Sequence, residues 1–115
     1  MNYDLEDRCG RFGESVIKLC KELRNDDINR PLINQIIRSA TSIGANYMEA
    51  NEAASTKYFR NKIKISQKEA NETKHWVRMI AAANPEKRAL GRIIWQEAHE
   101  LTLIFATISR NTVKN

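Results

Sequence analysis

The chain has 115 residues, a formal net charge of +5, 29% charged and 7% aromatic residues, and only four Gly and two Pro. That length suits one domain spanning 1–115, and the scarcity of turn residues points to an all-α protein. No run approaches the ~20 apolar residues of a membrane span, and the acidic start MNYDLEDRCG is unlike a signal peptide, so a cytoplasmic protein is expected.

The first helix is predicted from about Asp4 to Arg24. Leu5, Phe12, Val16, Leu19, Cys20 and Leu23 recur at helical spacing. Asp4, Glu6 and Asp7 sit in its first turn, where the helix dipole favours anions. Gly10 and Gly13 weaken it and are read as points of close packing. Cys9 and Cys20 lie on one face about 16 Å apart by helical rise, too far for a bond, and are read as small buried apolar residues. The second helix is predicted from Pro31 to Ala53 or Ala54, with Leu32, Ile33, Ile36, Ile37, Ala40, Ile43, Tyr47 and Met48 facing inward.

Ser55 is the expected cap of the third helix, which runs to about Asn84. Phe59, Ile63, Ala70, Val77, Ile80 and Ala81 mark its inner side. Asn84 and Pro85 supply a stop and a new start, with Asn84 as cap. In the fourth helix Leu90, Ile93, Ile94, Leu101, Ile104, Phe105 and Ile108 share a side, and the tail from Arg110 is expected to fray. Four amphipathic helices with short links imply an up-down-up-down antiparallel four-helix bundle.

The second helix raises a question of its own. Between Arg38 and Glu49 it carries no charge and many small side chains. Ser39, Ser42, Ala45, Asn46 and Glu49 are placed away from the bundle, on a face covered by a second copy of the chain. A plain Ser/Ala-rich solvent face is the alternative. Trp76 and Trp95 lie off the apolar stripes and are added to this candidate oligomer interface.

Charge is unevenly placed. Residues 1–55 carry seven basic and nine acidic side chains, whereas residues 56–92 carry ten and three. On the third helix Lys57, Arg60, Lys64 and Lys68 fall within an arc of roughly 80°. Arg78 continues the row, Lys74 flanks it, and Lys87, Arg88 and Arg92 extend it. A solvated face is the ordinary outcome for such a row. Repeated in an oligomer it suits a phosphate backbone, giving affinity without base specificity.

Three charges fall near apolar stripes: Lys62, Glu69 and Glu97. A buried carboxylate needs a partner, so Glu69 or Glu97 is expected to meet Lys62 or a hydroxyl. Glu72 and His75 match the Glu-x-x-His spacing of di-iron bundles once, but Gln96 precedes His99 where a second Glu would be needed. No metal or other cofactor is expected. Neither a phosphate-binding glycine loop nor a nucleophile motif is present, so no enzyme activity is expected.

The stretches RSATSIGANYMEANEA and KYFRNKIKISQKEANETKHWVRMI, at their observed separation, resemble the four-helix bundle proteins also called 23S ribosomal RNA intervening-sequence proteins. The resemblance covers nearly the whole chain. It implies a short helical bundle that assembles as a ring-like homopentamer, with no activity established for the family. Two functions follow as expectations. The first is a non-enzymatic homo-oligomer that binds RNA or DNA through the third-helix stripe. The alternative is a protein-interaction adaptor that binds no nucleic acid.

Overall fold

A computed structural model describes residues 2–113. Four α-helices follow one another: α1 (Asn2–Lys21), α2 (Asn29–Asn51), α3 (Thr56–Ala83) and α4 (Arg88–Val113). A short 3-10 turn, Pro85–Lys87, leads into α4. Neighbours in sequence are neighbours in space, and α1 closes the square against α4, while the α2–α4 diagonal is bridged by core side chains such as Tyr47 and Phe105. The result is the expected antiparallel bundle, 47 × 20 × 19 Å.

Each helix has its stripe for a physical reason. Val16, Leu19, Ile36, Ile43, Ile63, Val77, Ile80, Leu101 and Phe105 are all fully buried and interlock along the axis. Tyr47 meets Phe105 edge to face at 5.5 Å. Burying such side chains is the main source of stability, about 1.5–3 kcal/mol each. Cys9 and Cys20 are free thiols inside this core, and burial raises their pKa values to about 12 and about 11.

The helix ends differ from expectation in instructive ways. Asp26 accepts hydrogen bonds from the backbone N–H groups of Ile28 and Asn29, so α2 starts two residues before Pro31. Ser55 caps α3 as expected, accepting from the Tyr58 N–H. Asn84 is no side-chain cap. Its amide is buried and exchanges two hydrogen bonds with Asn29, at 3.1 and 2.9 Å, which ties the α1–α2 link to the α3–α4 link. α4 continues through Arg110 to Val113, and Lys114 and Asn115 lie outside the described residues.

The close approach of α1 to α2 is made at Gly44. A Cβ there would stand 3.3 Å from the Cys9 Cβ, whereas Gly10 has nothing within 4 Å and Gly13 has only ordinary contact with Thr41. Three side chains assigned to the core stripes are exposed instead: Met48, Leu90 and Ile93. Leu90 and Ile93 line a shallow groove between α1 and α4.

Candidate nucleic-acid interface

The small side chains of α2 divide into two groups. Ser39 has no accessible surface in the single chain. Its hydroxyl accepts from the Thr73 hydroxyl at 2.9 Å and donates to the Ile36 carbonyl. One helical turn further on, the Ser66 hydroxyl donates to the Ile43 carbonyl at 2.9 Å. Buried hydroxyls therefore hold α2 and α3 close, and Ser39 leaves the candidate oligomer interface because no surface of it remains to be covered. Ser42 and Asn46 are half-buried and bond to their own helix, at the carbonyls of Arg38 and Ser42.

The rest of that candidate set does not form one patch. Ala45 is exposed beside Met48. Glu49 pairs with Lys62 at 2.6 Å across α2 and α3. Trp76 packs on the core flank and donates its N–H to Glu72, which is bound to Arg38 of α2. Trp95 lies on the opposite side of α3, in the seam with α4. The outward small face of α2 instead adjoins α1, where Gly10, Gly13, Ile17, Ala45 and Met48 line an apolar groove of about 360 Å³.

The two misplaced carboxylates pair with arginines, not with Lys62 or a hydroxyl. Glu97 receives two hydrogen bonds from Arg8, at 2.7 and 2.8 Å, and Glu100 receives another. The hydrogen bonds that Arg8 donates to Glu97, with the one it donates to Glu100, hold its guanidinium well above its usual range. Glu69 and Glu72 both bind Arg38. Burial works against the charge on Arg38, but the two carboxylates outweigh it and raise its pKa. Lys62, the partner expected for a buried carboxylate, serves Glu49 instead.

These pairs leave the outer seam of α3 and α4 with cations alone. Every carboxylate within α3 and α4 turns to an arginine of α1 or α2. Among the described residues, Lys57, Arg60, Lys64, Lys68, Arg78, Arg88, Arg92 and Arg110 make no ion pair with a carboxylate. Arg60, Lys74 and Lys87 are half-buried; the other cations of the predicted row are exposed. Lys87 drops out of the row because it pairs with Glu22 at 2.6 Å. That hydrogen bond holds the Glu22 carboxyl below its usual range.

Two grooves follow the seam. Lys64, Lys68 and Arg110 rim one of about 660 Å³, with Gln67, Asn71, Thr102 and Ser109 as neutral polar walls. Arg78, Arg88 and Arg92 rim the other, of about 310 Å³, beside Trp95. Lys74 stands between them. Its Nζ is 3.1 Å from His99 Nδ1 and 5.2 Å from the Trp95 ring centre. An ammonium only donates, so Nδ1 accepts and the proton of the neutral imidazole sits on Nε2. From Lys57 to Arg78 the row runs about 32 Å along the helix.

Arg110 was missed by sequence reasoning. It stands 46 residues beyond Lys64. The antiparallel order itself was the usable signal, because it returns the end of α4 to the start of α3. The metal ligands considered from sequence do not converge: Glu72 is taken by Arg38, His75 packs edge-on against Trp76, and His99 faces Lys74. Among the described residues no group of three or more His, Cys, Asp or Glu side chains gathers. No described helix is long and apolar enough to cross a membrane.

A family model described as 23S rRNA-intervening sequence protein matches residues 2–85. The chain belongs to that family. A solved structure from Bacteroides thetaiotaomicron, a protein with unknown function from the S23 ribosomal protein family, is 34% identical. The match covers 90% of this chain and 96% of that one, with a TM-score of 0.82. No curated protein matches. The family match ends at Pro85, so it includes the basic row of α3 but not α4. The structural match reaches into α4 as well, since it leaves only a tenth of this chain uncovered.

Proposed function

We propose that this protein is a non-enzymatic, self-associating helical bundle that binds RNA or DNA along the seam of α3 and α4. One observation carries the reading: the cations of this seam have no carboxylate partners, because α1 and α2 arginines take the acids of both helices. A phosphate backbone releases counterions when it meets such a row, and affinity follows from the number of phosphates neutralised. Lys57, Arg60, Lys64, Lys68 and Arg78 supply the contacts of α3, while Arg88, Arg92 and Arg110 supply those of α4. The family's description links its members with 23S rRNA, which makes RNA the first probe.

Self-association rests on a separate surface. The α1/α2 groove exposes Ile17 at 39% and Met48 at 53% beside small residues that let another backbone come near. A second copy seated there would repeat the basic row and multiply its contacts. The same groove favours the second reading, an adaptor for other proteins, because most of the surface it offers is apolar.

Replacing Lys57, Arg60, Lys64 and Lys68 together by Glu tests the first reading. Affinity for mixed-sequence RNA at low salt is expected to fall at least about 100-fold, with helicity by circular dichroism unchanged. Equal affinity of the variant and the parent would overturn it. An unaltered chain that binds neither RNA nor DNA at low salt would favour the adaptor.

A further inference from the structure

We infer that the groove beside Trp95 is a pocket for one unpaired nucleobase, so that the α3/α4 seam prefers single-stranded nucleic acid. The inference rests on the proposed function and adds what phosphate contacts alone cannot supply. Trp95 is covered on one side by His99, one turn further along α4, with ring centres 5.0 Å apart and planes 18° from parallel. The groove lies toward the other end of α4, with Gly91 in its lining one turn before Trp95. Trp95 keeps 38% of its surface exposed there.

The chemistry of the lining fits a nucleotide in two parts. Ala81 and Gly91 contribute apolar wall with no long side chain, which leaves room for a flat ring against the indole. Arg78, Arg88 and Arg92 rim the same space, and none of them is held by a carboxylate. A guanidinium takes phosphate oxygens in a bidentate fork and also stacks on a base. The volume, about 310 Å³, lies at the lower end of small-ligand sites. Lys74 adds a cation within reach of the indole from the seam side. Aromatic stacking accepts any base, so the pocket confers strand selectivity without sequence selectivity. A duplex keeps its bases inside the stack and cannot fill it.

The test uses the Trp76→Phe chain, in which Trp95 is the sole tryptophan. Twelve-nucleotide strands of oligouridylate and oligothymidylate are titrated against its fluorescence, beside a matched abasic strand and a duplex. Base-bearing strands are expected to quench Trp95 and to bind about tenfold more tightly than the abasic strand. By anisotropy of end-labelled strands, Trp95→Phe is expected to keep that preference and Trp95→Ala to lose it, each with unchanged helicity. A response to oligouridylate alone assigns the pocket to RNA, and a response to both strands assigns it to either nucleic acid. Equal binding of the abasic strand without quenching would overturn the pocket and leave the electrostatic seam standing. Failure of every strand to bind would overturn both.

Discussion

The α3/α4 seam and the α1/α2 seam are grooves on one small bundle, yet their chemistry is opposite. The first is rimmed by cations without carboxylates around cavities of about 660 and 310 Å³. The second, about 360 Å³, offers mostly apolar surface from Ile17, Met48, Ala45 and three glycines, with Glu6 and Glu14 at its edge. The difference does not come from composition alone, since α3 and α4 contain four glutamates. It comes from where those glutamates turn. Arg8 takes two and Arg38 takes two, both across helix boundaries. Two arginines on the acidic half of the chain thereby decide the field of the basic half. Pairs whose arginine stays partly exposed contribute little stability, and their larger effect is to sort charge between faces.

The comparison is broken most visibly by changing the apolar seam. Ile17→Glu combined with Met48→Glu is expected to break the proposed self-association and leave a 13.3 kDa monomer in sedimentation, with helicity intact. An unchanged mass would remove the α1/α2 groove as the contact surface, and a parent chain that is already monomeric at micromolar concentration would remove self-association.

Alkaline titration probes how dry the same seam is. Cys9 lines its floor, and burial raises its thiol to about 12, with Cys20 raised to about 11 from an ordinary 9.0. A raised folded pKa means that the folded chain holds a proton which the unfolded chain releases. The contribution is complete below pH 9 and is lost as pH rises through the folded values. Stability in urea is expected to fall above pH 9 by about 1 kcal/mol per pH unit per thiol. Cys9→Ala with Cys20→Ala is expected to remove that part of the slope, and an identical slope in the variant would show that the thiols are not its source.

Smaller effects separate the glycines. Gly10→Ala meets nothing within 4 Å and is expected to stabilise α1 by about 0.5–1 kcal/mol. Gly44→Ala is expected to gain nothing or to destabilise, because its Cβ would press on Cys9 at 3.3 Å. Urea midpoints measure both, and equal gains would show that α1 and α2 are less tightly apposed at Gly44 than a 3.3 Å approach to Cys9 requires.

Most of the bundle was legible in the sequence because helical periodicity is a property of each segment by itself. The buried positions Val16, Ile43, Val77 and Leu101 follow from 3.6-residue spacing. What was illegible depends on two segments at once. Ser39 stands about 40° from Ile43 on a wheel drawn for α2, at the edge of the inward stripe, and its hydroxyl is satisfied there by Thr73 of α3. Asn84 looks like a cap until Asn29 claims its amide. Leu90 and Ile93 keep the period of a core stripe but sit toward the thin contact between α1 and α4. The candidate site shows the same division. The cations of α3 form a row on one helix and could be read directly, whereas their union with Arg110 and Trp95 requires the register of α4.

The salt dependence of RNA binding tests the central claim most directly. Anisotropy of a labelled single-stranded 20-mer, followed between 20 and 300 mM salt, is predicted to give a linear fall of log affinity with log salt, with a slope of about −3 or steeper. A slope near zero, or no binding at the lowest salt, would contradict a seam whose cations are left free for phosphate.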